Sequence, residues 1–295
     1  MQESALSTIG LPVALAIIML GLGLHLKLDD FKRIWTQPRA MLIGLACQVL
    51  LLPALCFGLV KAFALPAELA VGMMLLAASP GGITANLYSH LFKGDVALNI
   101  SLTAVNSVLA IVAIPLIVNF ALGSFMGQQQ YVPLQFQKTL EVIVLILAPV
   151  AVGMLIHARF PGASRRMDKP VKVASALILF LLILAILLRE RANLVVYLRQ
   201  AGLAALLFNL ASMFIGYYVG RLTRVGEGQS RAIAFEVGIH NATLAIYLAL
   251  AVLHNSAMSV PAAIYGLIMF FTAAAFGWWV MRRQRGADAA ARPAG

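Results

Sequence analysis

The stretch AFEVGIHNATLAIYLAL (residues 234–250) is apolar enough to lie inside a membrane, yet its third residue is the glutamate Glu236. Gly238, His240 and Asn241 follow it closely. A charged side chain at the centre of a bilayer costs several kcal/mol, so such a residue is rare and usually functional. Glycine adopts non-helical backbone angles at little steric cost, which favours a break in the helix here. The stretch therefore predicts a membrane span that is interrupted at a functional site.

Composition places the whole chain in a lipid bilayer. Hydrophobic residues make up 62% of the 295 positions and charged residues only 11%, whereas a soluble domain contains about 25% charged residues. The apolar residues fall in blocks of about twenty, which is the length that crosses a hydrocarbon core. The net charge of +11 lies mainly in the loops between these blocks, so it indicates membrane topology and not a nucleic-acid partner.

Nine transmembrane helices are predicted, which makes the protein an all-α polytopic membrane protein. The predicted spans are residues 7–25, 40–62, 66–92, 95–122, 136–157, 171–188, 198–220, 230–253 and 260–281. Most of the 22 lysines and arginines fall on the side that holds the C-terminus, and this bias makes that side cytoplasmic. We therefore expect a plasma-membrane protein with its N-terminus outside and residues 286–295 as a disordered cytoplasmic tail.

A second break is predicted in the third span, ELAVGMMLLAASPGGITANLYSHLF (residues 68–92), which carries Pro80–Gly82 at mid-length. Proline removes a backbone donor and so interrupts a helix. After the two breaks the chain reads alike, with GITANL (residues 82–87) against GIHNATL (residues 238–244). Spans three and eight are five apart, so they run in opposite directions, as in the inverted repeats of secondary transporters.

The inverted repeat predicts the domain organisation. Residues 1–285 form a single transporter domain, and residues 132–285 are its complete second repeat. Residues 1–124 are a first repeat that lacks its first helix, which accounts for an odd number of spans. In such transporters the substrate and ion sites lie at mid-membrane, where the repeats meet.

A stripe of polar residues runs along the fourth span. Asn99, Thr103 and Asn106 recur at i, i+4 and i+7, so they share one face of a helix. Together with Asn86 and Glu236 they supply oxygen ligands, which hard cations such as Na⁺ prefer. Hydrogen bonding between helices is the alternative interpretation, and for Asn106 it is at least as good.

His240 follows Glu236 by four residues, and two further interpretations of this pair stay open at this point. Two ligands without a third give zinc little support, but proton coupling is open because histidine titrates near physiological pH. An intramembrane enzyme that uses the pair for acid/base chemistry is the weaker alternative, since a nucleophile and a complete metal site are lacking. Paired breaks are better explained by alternating access, so we expect a protein that is not an enzyme.

The motif SPGGITANLYSHLFKGDVALNISLTAVNS (residues 79–107), followed by EVGIHN (residues 236–241), resembles the bile acid:sodium symporter family. The resemblance extends over nearly the whole chain and includes GLGLHLKLDDF (residues 21–31). It implies a nine-helix form with a core domain, in which two broken helices cross, and a panel domain. It also implies import of an organic anion coupled to Na⁺.

The same resemblance implies two sodium sites. The first would use Asn86, Asn99, Thr103 and Glu236. The second would use Gln48, Glu236, the carbonyls of Val237 and Ile239, and His240 where the family usually has glutamine. Neutral imidazole offers a single lone pair, so His240 is a poorer sodium ligand than glutamine.

The substrate is expected to bind where the second halves of the broken helices begin. Helix N-termini carry free N–H groups and partial positive charge, which suits a carboxylate. The backbone amides expected there are those of Gly82, Ile83, Thr84, His240 and Asn241. A small organic anion and the lipid bilayer are therefore the expected partners, with no protein partner evident. A bile acid is not implied, because the last span, IYGLIMFFTAAAF (residues 264–276), lacks a His-Asn pair.

Overall fold

The computed structural model describes residues 10–127 and 136–290, apart from the side chains of residues 136–143 and 285–290. Every regular element in this part of the chain is a helix. The α-helices are α1 (Leu11–Gly23), α2 (Leu28–Phe31), α3 (Arg33–Thr36), α4 (Pro38–Ala46), α5 (Leu52–Ala62), α6 (Ala67–Ala78), α7 (Ile83–Leu91), α8 (Val96–Phe125), α9 (Phe136–Arg159), α10 (Pro161–Arg189), α11 (Leu194–Leu222), α12 (Glu227–Gly238), α13 (Ala242–Tyr247) and α14 (Val260–Ala290). Two π-helical turns join or extend them, at Cys47–Leu51 between α4 and α5 and at Leu248–Val252 after α13.

Each predicted span falls on a helix or an interrupted pair of helices. Among the described residues, five helices are long and apolar enough to cross a membrane unaided: Pro38–Ala62, Val96–Phe125, Pro161–Arg189, Leu194–Leu222 and Ala257–Gln284. A sixth results if α1 and the α2–α3 segment, which are bent by 78°, count as one. Three shorter apolar helices are Ala67–Ala78, Val144–Arg159 and Ala242–Val252.

The structure can be compared with the predicted start of the first span and with the predicted C-terminal tail. Residues 7–9, where the first span was expected to begin, lie outside the described residues. At the other end, α14 continues as a helix to Ala290. It therefore occupies the first part of the predicted disordered tail, while residues 291–295 lie outside the described part.

Both predicted breaks are present, and they meet. The chain is non-helical between α6 and α7, and again between α12 and α13. The Gly82 N–H donates to the Ile239 carbonyl at 3.0 Å, and the Asn241 N–H donates to the Pro80 carbonyl at 2.9 Å. Unsatisfied backbone groups are costly inside a bilayer. Because each break supplies the hydrogen-bond partners of the other, two interrupted helices are tolerated where one alone would be strongly unfavourable.

Small residues allow the helices beside the crossing to pack closely. A Cβ on Gly216 in α11 would lie 2.9 Å from the Ala234 Cα in α12, so only glycine permits this separation. Likewise, a Cβ on Gly153 in α9 would lie 2.5 Å from the Leu20 carbonyl oxygen in α1. Such contacts through small residues are the usual basis of helix association in membranes. They place α11 against α12 and α9 against α1.

A buried arginine ties the broken helices together at one end. Arg231 in α12 is 2% exposed and donates to the Phe92 carbonyl at 3.1 Å, to Gln284 Oε1 at 2.5 Å and to Glu227 Oε1 at 3.2 Å. These partners belong to the end of α7, to α14 and to the first turn of α12. An unpaired buried charge would be strongly destabilising, so the contacts hold the three elements in a fixed relation.

Candidate functional site

The Glu236 carboxylate lies in the last turn of α12, directly before the break, and is fully buried. The Thr103 hydroxyl donates to Oε2 at 2.5 Å, and Asn106 Nδ2 donates to Oε1 at 3.2 Å. The Gly81 N–H, from the other break, points at the same carboxylate. A Cβ on Gly81 would overlap the carboxyl group, so the two groups are in close contact. The carboxylate is therefore held by α8 on one side and by the first break on the other.

Several polar atoms near these elements are buried and have no hydrogen-bond partner among the described residues. Asn99 donates through Nδ2 to the Ala232 carbonyl at 2.7 Å, but its Oδ1 is unpaired, as are Oδ1 of Asn106 and both amide atoms of Asn86. Leaving such a group unpaired costs about 1–3 kcal/mol. A buried carboxylate and unpaired amide oxygens on the two helices that pack against it are oxygen ligands of the kind that hard cations prefer. The residues present thus fit a sodium ion.

Asn106 is the residue whose role the sequence did not resolve. It contacts Glu236 directly, although hydrogen bonding between helices was an equally good interpretation of it. The i, i+7 spacing from Asn99 was the available signal, since it places both residues on the face that meets Glu236. Among the described residues there is no cluster of three or more histidine, cysteine, aspartate or glutamate side chains that could hold a metal.

Gln48 lies in the π-helical turn between α4 and α5. Its Nε2 donates to the Ser79 carbonyl at 2.9 Å, directly before the first break, and its Oε1 is buried and unpaired. The π-helical turn is rare and is frequently found at functional sites. The structure therefore brings Gln48 to the break but records no contact between it and Glu236.

The protonation of His240 follows from its hydrogen bonds. The Tyr265 hydroxyl donates to the Gly238 carbonyl at 2.8 Å, and His240 Nδ1 lies 2.8 Å from the same hydroxyl oxygen. Since the hydroxyl has one proton and gives it to Gly238, its oxygen accepts from His240 Nδ1–H. The lone pair of the neutral ring is then on Nε2, which is buried and unpaired. His240 thus presents an acceptor, which suits a cation or an added proton.

A cavity of about 350 Å³ adjoins the crossing. All five residues predicted to bind the substrate line it: Gly82, Ile83, Thr84, His240 and Asn241. Two of the predicted free amides are not free, because the N–H groups of Gly82 and Asn241 are used in the hydrogen bonds between the breaks. That expectation is wrong, since the sequence does not reveal that the breaks pair with each other. The N–H groups of Ile83 and Thr84 begin α7, where donors have no partner within the helix.

Part of the cavity lining comes from α1 and α10 and includes Lys172 and Ser175. Lys172 is the only residue with a formal charge among those described as lining the cavity, whose remaining walls are mostly apolar. From the sequence it was counted only among the basic residues that signal topology, so its position beside the cavity was not predicted. Gly81 also lines the cavity, so the same glycine contacts both the cavity and the Glu236 carboxylate.

Comparison with known proteins points to one family. A model of the Sodium Bile acid symporter family matches residues 12–197. A Bacillus subtilis (strain 168) protein named "Uncharacterized sodium-dependent transporter YocS" is 30% identical, over 86% of this chain and 78% of its own length. The "Probable sodium/metabolite cotransporter BASS2, chloroplastic" of Oryza sativa subsp. japonica is 29% identical, over 97% of this chain and 66% of its own length.

A third relative, the "Probable sodium/metabolite cotransporter BASS1, chloroplastic" of Arabidopsis thaliana, is 28% identical over 85% of this chain. This chain spans 62% of the length of that relative. The family match covers more than half of the chain and includes the first break, α8 and the α10 residues that line the cavity. The chain belongs to the sodium bile acid symporter family.

Proposed function

We propose that the protein is a secondary active transporter that imports an organic anion together with Na⁺ by alternating access. The family consists of sodium-dependent transporters, which supports transport and sodium coupling in general. The observation that carries the specific proposal is the position of Gly81. It contacts the buried Glu236 carboxylate and lines the cavity beside the crossing, so an ion site and a substrate site share one segment of backbone.

The first sodium site would consist of Glu236, Thr103, Asn99 and Asn86, and we add Asn106 because it contacts the carboxylate. A bound cation offsets the cost of burying a carboxylate and supplies the partner that the unpaired amide oxygens lack. The ion itself contributes positive charge; the protein contributes the oxygens and holds them on α8, α7 and α12. The site thus gives a physical reason for a glutamate in mid-membrane.

The second proposed sodium site comprises Gln48, Glu236, the carbonyls of Val237 and Ile239, and His240. Fewer contacts support this site than support the first sodium site. Gln48 Oε1 and His240 Nε2 are buried and unpaired, and both carry a lone pair. The Ile239 carbonyl already accepts from the Gly82 N–H, so it retains only one lone pair for an ion.

The cavity supports an anionic substrate. Its only formally charged residue among those described is a lysine, and the α7 N–H groups of Ile83 and Thr84 offer the positive end of a helix to a carboxylate. Sodium and substrate are then coupled through the first break. Occupation of the Glu236 site fixes the position of Gly81, and Gly81 is continuous with the residues that begin α7. Each ligand therefore favours the arrangement that the other binds.

For the membrane topology we propose nine spans, with α6–α7 and α12–α13 each crossing once as a broken helix. The two breaks pair in antiparallel fashion, which is expected if spans three and eight run in opposite directions in an inverted repeat. Helices α1, α9 and α10 pack together and would form the panel, and the crossing with α8 and α11 would form the core. The N-terminus would lie outside and Lys172 near the cytoplasmic end of α10.

Uptake into proteoliposomes tests the function. Purified protein should accumulate a radiolabelled carboxylate when an inward Na⁺ gradient is imposed, and not with an equal K⁺ gradient. Transport restricted to cations or neutral sugars would refute the proposal.

Proton coupling through Glu236 and His240 is the second candidate, favoured by the unpaired Nε2 of His240. It would show as uptake driven by an inward proton gradient in the absence of sodium. An intramembrane enzyme has no comparable support in the geometry.

A further inference from the structure

The cavity has two places at which it can attract negative charge, and they lie at different depths. One is the crossing, with the first N–H groups of α7. The other is on α10, where Lys172 and Ser175 are three residues apart and both line the cavity. The rest of the lining is mostly apolar and includes Met19, Leu22 and Leu179. The two polar ends and the apolar middle define what kind of molecule fits.

The separation of the two places can be read from helix packing. The Cβ position of Gly266 in α14 lies 3.1 Å from Ala242 Cβ, at the start of α13, and 3.9 Å from Leu179 Cδ1 in α10. Leu179 is therefore level with the crossing. Lys172 precedes it by seven residues, which is about 10 Å along a helix axis. The Lys172 backbone therefore lies about 10 Å from the level of the crossing, which leaves room for a ligand with two separate acidic groups.

The Lys172 ammonium is held in place without being fully used. It contacts both carboxylate oxygens of Asp168, at 2.9 and 3.0 Å, and the Asp168 Oδ1 is also 2.8 Å from His25 Nε2. An ammonium has three donors, so one remains for a ligand. Lys172 lines the cavity, whereas Asp168 is not among the residues that line it. The Ser175 hydroxyl oxygen is buried and has no partner among the described residues, so it also offers a contact.

We infer that the substrate is an organic dianion, with one carboxylate at the crossing, an apolar middle and a second acidic group at Lys172 and Ser175. This inference rests on the proposed function and makes its substrate class more specific. Lys172 is thus a specificity-determining residue: it selects dianions over monoanions of equal length.

The test measures dissociation constants of the purified full-length protein in saturating NaCl, by calorimetry. The probes are the α,ω-dicarboxylates from succinate to suberate and the monoamide of each, which has the same shape but one charge fewer. Wild type should bind a longer dicarboxylate about tenfold tighter than its monoamide, the size expected of one charge-assisted hydrogen bond. Succinate should show a smaller preference because it is too short to span both places.

Three variants test whether Lys172 causes the preference for the dicarboxylate. Lys172→Gln should reduce the ratio of the two dissociation constants to near one, and Lys172→Arg, which keeps the charge, should retain it. Lys169→Gln removes the same charge from a position on the same helix that is not among the cavity-lining residues, and it should leave the ratio as in wild type. Thermal unfolding without ligand establishes that each variant is folded.

Three results would overturn the inference. The first is an unchanged preference in Lys172→Gln, and the second is no preference in wild type. The third is an equal loss of dicarboxylate and monoamide affinity in Lys172→Gln, which would mean that the lysine binds a single carboxylate. The proposed function fails separately, if no carboxylate of either kind binds in a sodium-dependent manner.

Discussion

Gly81→Ala changes no proposed ligand, yet it should strongly weaken sodium binding. A Cβ at this position would overlap the Glu236 carboxyl group, so either the first break or the carboxylate must move. Overpacking of this kind costs about 1–3 kcal/mol. If that cost falls on the bound state, sodium affinity decreases by a factor of about 5 to 150.

The neighbouring glycine provides a matched control. A Cβ on Gly82 would lie 3.7 Å from its nearest atom, the His240 carbonyl oxygen, which is ordinary contact, and its backbone is extended, with φ −99°. Gly82→Ala therefore adds the same methyl group one residue away without steric conflict, and it should bind sodium as wild type does.

The assay is the rise in unfolding temperature of the purified protein as NaCl replaces KCl at constant ionic strength. A ligand that binds only the native state raises stability by RT ln(1 + [L]/Kd), so the curve gives the sodium affinity. Unfolding in KCl alone separates a general loss of stability from a loss of sodium binding. If Gly81→Ala and Gly82→Ala respond to sodium alike, the close contact with Glu236 does not govern the ion site and the reasoning is wrong.

Four further outcomes follow from side-chain contacts in the structure. Glu236→Gln should abolish sodium-dependent uptake in a folded protein, and normal sodium-driven uptake by this variant would make the glutamate structural. Thr103→Ala should lower sodium affinity about tenfold, as expected for one hydrogen bond to a charged group. His240→Gln should preserve or strengthen sodium dependence if Nε2 is a ligand, and should abolish proton-driven uptake if it carries the proton. Burial raises the pKa of Glu227, but hydrogen bonds from Tyr217 and Arg221 and the charge of Arg231 hold it below its ordinary value. The ionised Glu227 therefore stabilises the fold above the pKa of the unfolded state, and this stabilisation is lost as pH falls through the lower pKa of the folded state. Glu227→Gln should make the unfolding temperature depend less on pH in the acid range. An unchanged acid dependence would contradict this.

The positions of the helices and of both breaks could be predicted from the sequence, because each depends on local chemistry. Apolar blocks have the length of a membrane span, and Pro80 and Gly238 mark where a helix opens. The pairing of the breaks is a tertiary contact, and the sequence carried no sign that it would use the N–H groups of Gly82 and Asn241.

Some of the site residues could also be predicted from the sequence, whereas others depend on tertiary contacts. Thr103 and Glu236 were identified by spacing and by burial of charge, and they do contact each other. Asn106 could not be separated from a packing residue, since an amide that joins two helices has the same spacing as one that binds a carboxylate. Lys172 was hidden for a different reason: a basic residue near a span end is normally a topology signal, and only the packing of α10 against α1 and α14 places it beside the cavity.

The position of Gly81 also bears on how tightly the two proposed sites are coupled. Its N–H points at the Glu236 carboxylate, and the residue itself forms part of the cavity wall. No intervening helix or side chain has to transmit a displacement from one site to the other. Reciprocity then requires that, if sodium raises substrate affinity by some factor, substrate raises sodium affinity by the same factor. Because the breaks are hydrogen-bonded to each other, neither can shift without the other, so both broken helices would respond to either ligand as one unit.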